Sequence, residues 1–354
     1  MANDGIVETV DLSAEPGRME FYARAKEESL APLWRVLGGL VTATPATEAV
    51  PALFEFERVR PYLLEACDII GTEEAERRVL VLENPGLPGK SRITQSLFAG
   101  YQIILPGEIA AAHRHVASAL RFIVEGTDAY TAVAGERTNM EVGDFVITPS
   151  MAWHDHGNES DSPMIWLDGL DMHIVNLLGA SFRDNYPGRT HPTLRPEGSS
   201  VLEAGANLIP EGFDHGSQTS PIFNYSYRRT RESLHRLSRL RDPDPCHGYR
   251  MNYINPLNGQ SAMPTISTAM RLIPKGFSTE AYRTTAGTVF AVVEGSATAY
   301  VGDETFRLKE KDLFVAPTWH ATRIDADEDC VIFTYSDQIV QEKLDLFREQ
   351  RGDD

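Results

Sequence analysis

The sequence predicts a mainly β protein with two small barrels or double-sheet jelly rolls, preceded by N-terminal helices. Short apolar runs bounded by Gly, Pro and Asp follow one another from about Gln95, which is typical of closely spaced strands. The segment 104–126 is similar to the segment 272–295, so one β fold is expected twice. A chain of 354 residues has room for roughly two domains at ~100–200 residues each.

Residues 1–94 form the predicted N-terminal helical region. Within 51–71, apolar side chains recur at three- and four-residue spacing, at Val59, Tyr62, Leu63, Ala66, Ile69 and Ile70. This spacing predicts an amphipathic helix, which we expect to begin at Pro61 and to end at Gly71. An earlier segment, 19–40, has similar helical character. We expect these helices to serve packing or subunit contacts rather than chemistry.

Two blocks of predicted strands follow, and the first is expected to be the catalytic domain. The first block, 95–180, has runs at 101–105, 120–126, 129–135, 144–149 and 164–170. The second block, 261–354, has runs at 265–274, 288–295, 297–303, 312–317 and 330–335. Helical spacing near the end of the chain predicts a closing helix over 338–350.

The segment 181–260 between the two blocks has a different texture. It holds eight of the 21 prolines and a basic run, RRTRESLHRLSRL, at 228–240. We interpret the segment as a long, ordered inter-domain connection and the basic run as a helix with a solvated face.

Composition excludes several classes of protein. The chain has 33 Lys and Arg against 51 Asp and Glu, a net charge of -18, which disfavours nucleic acid as a partner because phosphates would be repelled. No apolar run reaches the ~18 residues of a membrane span, and the acidic N-terminus shows no secretory signal. The three cysteines, Cys67, Cys246 and Cys330, form no CxxC motif, so we expect a reduced, cytoplasmic protein without a disulfide framework.

The first block carries a constellation of histidines. Residues two apart on a strand share a face, so His113 and His115 point to the same side. His154 follows a Pro turn, from which it can meet them on another strand. Scattered histidines would be the simpler interpretation, but the HxH pattern recurs at His154 and His156. Three imidazoles that converge in an apolar barrel make a site for a divalent first-row metal. Iron, Mn, Co, Ni and Zn would all be accepted by such a site.

The phrases ILPGEIAAAHRHVASALRFIVEG and FVITPSMAWHDHGN resemble the two cupin motifs. Over nearly its full length the chain is similar to the gentisate/salicylate 1,2-dioxygenase family of bicupin ring-cleaving dioxygenases. This resemblance implies two cupin barrels, a homotetramer, and one Fe(II) per subunit held by His113, His115 and His154. Many cupins add a Glu ligand, but Ala119 stands near that place. A three-histidine site is what the ring-cleaving branch implies, rather than an oxalate-decarboxylase-like manganese site.

The second block has lost this pattern. The stretch 280–284 contains no histidine, and only His320, in PTWH, corresponds to His154. We expect this half to be structural and His320 to be vestigial or hydrogen-bonded.

Arg121 lies in an apolar strand with the parity of His113 and His115, so it is expected to face inward with them. A buried guanidinium needs an anionic partner. That partner is either an internal Asp or Glu or the carboxylate of a substrate, which Arg binds bidentately; the resemblance implies the second. We expect His156 to lie outside the ligand set, where it hydrogen-bonds a substrate oxygen or relays a proton, unless it is a surface-loop residue.

Other site residues come from the resemblance alone. Asp168 matches an acidic residue near the hydroxyl para to the phenol group of the substrate, and Arg77 and Gln102 match polar residues around its carboxylate. Each is equally consistent with a structural hydrogen bond. Phe98 stands where relatives carry a larger or hydroxylated aromatic, which leaves the ring preference open.

The resulting expectation is a non-haem Fe(II) dioxygenase of the extradiol type. It would insert both atoms of O2 between the carboxyl- and hydroxyl-bearing carbons of a 2-hydroxybenzoate. Gentisate, which would give maleylpyruvate, ranks first, and salicylate, 5-substituted salicylates and 1-hydroxy-2-naphthoate are the alternatives. A non-catalytic carboxylate-binding cupin and a zinc or manganese isomerase or decarboxylase are alternatives of other classes.

Overall fold

The computed structural model describes residues 16–206 and 208–352. These described residues fall into two compact units, divided between Ala46 and Thr47. The helices in the described ranges are α1 Pro16–Glu27, α2 Leu33–Leu40, α3 Phe56–Ile69, α4 Thr72–Ala75, α5 Met172–Leu177, α6 Ser199–Ala204, α7 Tyr227–Ser238 and α8 Gln338–Lys343. No helix in these ranges combines the length and the apolar character needed to cross a bilayer.

The first unit contains α1 and α2, so the predicted helical segment 19–40 is two helices with a break before Pro32. The helices are joined by Trp34 Nε1, which donates to the Tyr22 hydroxyl at 3.1 Å. On α2 the apolar side chains of Leu33, Leu37 and Leu40 are exposed. A surface helix normally buries such a stripe, and this one is not buried within the unit.

Helix α3 corrects one sequence-based boundary. It begins at Phe56 rather than at Pro61, which lies inside it. The first turn is anchored from far along the chain, because the Phe56 N–H donates to Asp312 Oδ1 at 3.0 Å. Pro61 removes one backbone donor from the early helix, and burial of Phe56 and Leu63 holds the helix in place. The predicted end near Gly71 is confirmed, since α3 ends at Ile69.

The strands follow in chain order. Those up to the middle of the chain are β1 Ala52–Phe54, β2 Val79–Val81, β3 Phe98–Ile104, β4 Ile109–His115, β5 Ala119–Glu125, β6 Ala129–Val133, β7 Glu136–Met140, β8 Phe145–Thr148, β9 His154–Asn158, β10 Met164–Leu170, β11 Arg183–Asn185 and β12 Asn224–Tyr225. The later ones are β13 Tyr249–Asn252, β14 Ser267–Ile273, β15 Tyr282–Thr284, β16 Thr288–Glu294, β17 Ala297–Val301, β18 Glu304–Leu308, β19 Leu313–Ala316, β20 Thr322–Ala326, β21 Cys330–Ser336 and β22 Glu349–Arg351. Every strand predicted from the sequence is confirmed.

These strands build two double-sheet barrels. The first barrel has the sheets β12-β8-β5-β10-β3-β2 and β11-β4-β9-β6-β7, and the second has β1-β19-β16-β21-β14-β13 and β18-β17-β20-β15-β22. The predicted repeat is therefore a structural repeat, with β3, β5 and β10 matched in order by β14, β16 and β21.

Outlying segments complete both barrels. Strand β1, from the N-terminal region, pairs with β19 of the second barrel. Strands β11 and β12 of the connection join the first barrel, and β13 joins the second. The predicted domain boundaries after residues 94, 180 and 260 all fall inside the second compact unit. They stay predictions. The predicted basic helix of the connection is α7, whose Leu234 is buried while Arg231 pairs with Glu294 at 2.9 Å.

The end of the chain differs from the prediction. Helix α8 ends at Lys343 instead of continuing to residue 350. Asp345 has a φ of 57°, which no α-helix accommodates, and β22 then pairs with β15. Arg351 at the end of β22 donates to both oxygens of Asp244 at 2.6 Å. The apparent helical spacing of 338–350 is overridden by this edge pairing.

The alternation of side chains along each strand separates three cores. The largest cluster contains Leu120, Phe122, Leu167 and side chains of the second barrel such as Phe333, and the rings of Phe122 and Phe333 stack at 4.3 Å. The opposite faces of the strands fill the two barrel interiors. Residues that alternate with Leu120 and Leu167 therefore face the inside of the first barrel.

Candidate metal centre and active site

Two antiparallel strands of the first barrel bring the three predicted ligands together. His113 on β4 stands opposite His154 on β9, with an irregularity in the ladder between Ala110 and His113. Such an irregularity re-aims side chains. The ring centroids of His113 are 4.3 Å from those of His154 and 5.2 Å from those of His115. One nitrogen of each ring lies within 4.8 Å of one nitrogen of each of the other two, so a single ion can contact all three rings.

Backbone carbonyls orient the three rings. Each Nδ1 faces a carbonyl oxygen two residues away, at 3.3 Å for His113 to Ala111, 2.7 Å for His115 to Ala117 and 2.9 Å for His154 to Ala152. An Nδ1–H donated to a carbonyl leaves Nε2 as the free lone pair, which applies to His115 and His154; Nδ1 of His113 lies closer to the Arg77 guanidinium, at 2.5 Å from Nη2, than to the carbonyl. Nε2 of His154 is buried and has no hydrogen-bond partner, as expected of a ligand atom.

The electrostatics of the site favour neutral imidazoles. Burial first, and Arg77 second, lower the pKa of His113 to about 3. Burial also lowers the pKa of His115, and it lowers that of His154 further, with Arg121 adding to the effect. Metal binding requires deprotonated histidine. The donor set consists of three neutral imidazoles, and Nε2 of His154 has no other partner. It therefore fits a divalent first-row metal.

Arg77, which the resemblance placed near the substrate carboxylate, lies beside the triad. Its Nη2 donates to Ala111 O at 2.9 Å and stands 2.5 Å from His113 Nδ1. Burial, and then the charge of Arg121, lower the pKa of Arg77 to about 10. Arg77 is thus a cation at the edge of the site, next to a predicted ligand.

Arg121 is buried and its internal partner is Asp168. On β5 and β10 these two residues stand opposite each other, and Arg121 Nε is 3.6 Å from Asp168 Oδ1. Nη1 of Arg121 donates to the hydroxyl of Thr148. Nε has no hydrogen bond within range, so the guanidinium keeps donor capacity. The internal acid and a substrate carboxylate are therefore not exclusive alternatives.

Asp168 is buried and accepts a hydrogen bond from Trp166 Nε1 at 3.0 Å. Burial raises the pKa of Asp168 to about 6, although Arg121 and the bond from Trp166 act in the opposite direction. The carboxyl group therefore titrates in the range where enzymes work.

His156 lies inside the barrel rather than in a surface loop. Its Nδ1 is 2.6 Å from the hydroxyl of Thr131, and its Nε2 is buried without a partner. The His156 ring centroid is 5.7 Å from that of His154 and 5.5 Å from that of Trp166. This placement is beside the triad, as predicted.

Gln102 and Phe98 lie on β3, and the alternation of side chains along this strand turns both toward the barrel interior. Gln102 stands opposite Trp166 on β10 and is buried. A side chain at Gly100, between them, would meet Val79 Cγ1 at 2.6 Å and the Phe98 ring at 3.1 Å. A glycine is needed there because Val79 and the Phe98 ring leave no room for a Cβ atom.

A surface cavity reaches the triad at His113. Its empty space, ≈ 840 Å³ with part of it open to solvent, is lined by Glu76, Arg77, His113, Tyr186 and Arg189 among others.

Three neighbours of the site, Thr131, Thr148 and Trp166, were not predicted from the sequence. Their signal is the alternation of strands β6, β8 and β10, which becomes usable only when the pairing register is known.

The second barrel corrects the correspondence between His320 and His154, while the expected hydrogen bond of His320 is present. Thr322 on β20 stands opposite Tyr282 on β15, as His154 stands opposite His113. The residue at the place of His154 is therefore Thr322. His320 precedes β20, and its Nδ1 faces Thr318 O at 3.0 Å. The turns before β9 and β20 are both five residues long, 149–153 and 317–321, but the Trp-His pair stands two positions earlier relative to β20, so the motif match was shifted by two residues.

Comparison with known proteins places the chain. Residues 100–170 match the family model described as "Cupin domain". The chain is 52% identical to gentisate 1,2 dioxygenase 1 of Aquipseudomonas alcaligenes over 95% of its own length and 96% of that protein. It belongs to the gentisate and salicylate 1,2-dioxygenase family. The resemblance seen in the sequence is thereby confirmed.

The similarity of the chain to other members of this dioxygenase family spans both barrels. It is 34% identical to the 5-aminosalicylate 1,2-dioxygenase of a Comamonas species, over 94% of the chain and 88% of that protein. A crystal structure of salicylate 1,2-dioxygenase from Pseudoaminobacter salicylatoxidans with gentisate matches with a TM-score of 0.93 at 29% identity, over 99% of the chain and 98% of the other. The predicted bicupin fold with N-terminal helices is confirmed, and the chain is a ring-cleaving dioxygenase, an oxidoreductase.

Proposed function

We propose that the chain is an Fe(II)-dependent gentisate 1,2-dioxygenase that uses O2 to convert gentisate to maleylpyruvate. The observation that supports this most strongly is the neutral His113, His115 and His154 triad next to a buried Arg121 with spare donors. The 52% identity to a gentisate dioxygenase over nearly the whole chain supports the choice of substrate.

The three histidines would hold Fe(II) by one face. When bound, the ion acts as a Lewis acid that favours the phenolate form of the substrate and as the redox centre of ring cleavage. Nδ1 of His115 and of His154 faces a backbone carbonyl, so these two rings are held for binding through Nε2, while the His113 ring is held by Arg77 and Ala111. The protein thus supplies a neutral, preorganised site.

Arg121 orients the substrate by its carboxylate. Nη1 donates to Thr148, and Asp168 lies 3.6 Å from Nε without a hydrogen bond, so the remaining donors, Nε among them, form a fork suited to a carboxylate. Arg77 adds a second cation at the mouth of the site. Holding a reacting group in one geometry removes entropy from the barrier, and a buried cation offsets the charge of the incoming anion.

Asp168 distinguishes gentisate from salicylate. It is a buried acceptor on the interior face, and the hydroxyl para to the phenol group of gentisate is a donor that would pair with it. Asp168 would accept this bond in addition to the one from Trp166, so gentisate gains a charge-assisted hydrogen bond that salicylate lacks. His156, held by Thr131, is placed to exchange a proton with substrate oxygen.

The titration of Asp168 gives a pH prediction. An acid with a raised pKa is protonated below that pKa, and protonated Asp168 loses its ion pair with Arg121. We therefore expect kcat/KM for gentisate to fall as the pH drops through about 6, and Asp168→Asn to remove this acidic limb and lower the plateau about tenfold. A bound divalent cation favours the carboxylate and would move the limb to lower pH. An unchanged limb in Asp168→Asn would assign it to another group.

One experiment tests the proposed function. Full-length protein, loaded with Fe(II) without air, is supplied with gentisate, salicylate, 5-aminosalicylate and 1-hydroxy-2-naphthoate in turn, and oxygen uptake is recorded. We expect stoichiometric uptake, fastest with gentisate. Uptake with none of them would favour a carboxylate-binding cupin, and turnover under nitrogen would favour an isomerase or decarboxylase.

The assembly and location form part of the proposal. We propose a homotetramer, as the family resemblance implies; the exposed apolar stripe of Leu33, Leu37 and Leu40 on α2 supports contacts between subunits, since such surfaces mark interaction sites. We also propose a cytoplasmic location, in accord with the free state of Cys67, Cys246 and Cys330.

A further inference from the structure

The second barrel encloses a cationic cavity that the proposed function does not use. Its empty space, including the mouth, is ≈ 630 Å³, and its wall includes His247, Arg250, Arg271 and Tyr282. Arg250 on β13 and Arg271 on β14 stand directly opposite each other in an antiparallel ladder. Arg271 is only 7% exposed. Like charges placed opposite each other on a sheet repel, so this pair needs compensation.

The described residues do not supply that compensation. Within 16–206 and 208–352, neither arginine makes a hydrogen bond or an ion pair, and Nε of both is buried without a partner. The guanidinium of Arg271 lies 5.2 Å from the ring centroid of Phe290. This cation–π contact is weaker than an ion pair with a carboxylate would be. Burial, and then the charge of Arg250, lower the pKa of Arg271 to about 9, in keeping with two cations held close together.

The nearby acids are bonded elsewhere. Asp244 accepts both hydrogen bonds from Arg351 at 2.6 Å, and Glu349 accepts the Tyr282 hydroxyl at 2.7 Å. His247 is 8% exposed, and its Nδ1 is buried without a partner. Its ring packs edge-on against Tyr282 at 4.6 Å. Three polar side chains therefore present unmet hydrogen-bond capacity to one cavity.

The first barrel is built differently at the same positions. Arg271 is the fifth residue of β14 as Gln102 is of β3, while Phe290 on β16 and Thr334 on β21 replace Arg121 and Asp168. The second barrel thus has no counterpart of the Arg121–Asp168 pair. It has instead two arginines, Arg250 and Arg271, that have no acidic partner among the described residues. This arrangement is a separate device rather than a remnant of the metal centre.

We propose that the second barrel binds a small carboxylate anion between Arg250 and Arg271, with His247 beside it. Two planar guanidinium forks match the oxygens of a carboxylate. The anion would relieve the repulsion between the arginines, and an imidazole Nδ1–H can donate to it. This inference does not depend on the substrate of the first barrel.

The test uses acetate and separates the two barrels. Arg121→Leu removes the carboxylate fork of the first barrel, so its remaining response to acetate reports the second. In this full-length variant we expect the melting temperature to rise with acetate and to saturate, at constant ionic strength. In Arg121→Leu/Arg271→Met the apparent affinity for acetate should fall by at least about tenfold, since charge-assisted bonds are lost.

The same variants decide against the proposal if they behave otherwise. No saturable rise in Arg121→Leu, or an equal rise in the double variant, would overturn it. Arg271→Met alone should melt higher than the parent chain without acetate, because an uncompensated buried charge is removed; a lower melting temperature would mean that protein groups already pair with Arg271. If a double variant fails to fold, Arg250→Leu in place of Arg271→Met gives the second measurement, with the same expected loss.

Discussion

Replacing His154 by Ala is expected to lower the affinity for Fe(II) and the turnover of gentisate by more than about 100-fold. The loss of partners outside the ligand set alone typically costs 10–100-fold, and His154 is the buried member of the triad, with Nε2 free of any other bond. Iron content after anaerobic loading, together with oxygen uptake, measures both effects.

His320→Ala is the matched control for this variant. His320 is the corresponding histidine by motif but precedes β20 in the second barrel, bonded to Thr318 O. We expect it to keep full iron content and turnover. Retention of stoichiometric iron in His154→Ala would contradict the ligand assignment, and loss of turnover in a folded His320→Ala would show that the second barrel takes part in the reaction.

Replacing Arg121 by Leu is expected to lower kcat/KM for gentisate by about 10²–10³-fold, the range found when one preorganised donor is removed from an active site. The variant also leaves Asp168 buried without its cation. The pKa of Asp168 then rises beyond about 6, because Arg121 normally lowers it. Relative to the parent chain, the free energy of unfolding should therefore fall as the pH increases above 6.

Two controls isolate the roles of Arg121. Arg137→Leu removes an arginine of the same barrel that pairs with Glu159 near the surface at 2.5 Å, and it should leave the kinetics unchanged. Arg121→Leu/Asp168→Asn should be less destabilised than the sum of the single variants, since removal of both partners leaves no buried charge. Unchanged kinetics in Arg121→Leu would remove the carboxylate fork from the mechanism.

Most of the site was readable because strand alternation is a local property. The two-residue period placed His113 and His115 on one face, and parity placed Arg121 with them; the structure agrees on all three. The partner of Arg121 was not readable. Asp168 lies on β10, and only the pairing of β5 with β10 selects it among the 51 acidic residues.

Boundaries failed where a distant contact decides them. Asp312 fixes the start of α3 before Pro61, and the pairing of β22 with β15 ends α8 early. The misplacement of His320 has another origin: the letters Trp-His occur in both barrels, but in the second they stand two positions earlier in a turn of the same length. The local sequence does not indicate either the contact of Asp312 with α3 or the pairing of β22 with β15.

The sequence by itself determined two barrels, the three histidines and the inward arginine, since each follows from short-range periodicity or from a motif of fixed spacing. Only the tertiary structure decided which acid faces Arg121, which residue replaces His154 in the second barrel, and that Arg250 and Arg271 meet without a counter-charge. Such pairings depend on strand register, which is set by turns and by burial across the whole barrel rather than by neighbouring residues.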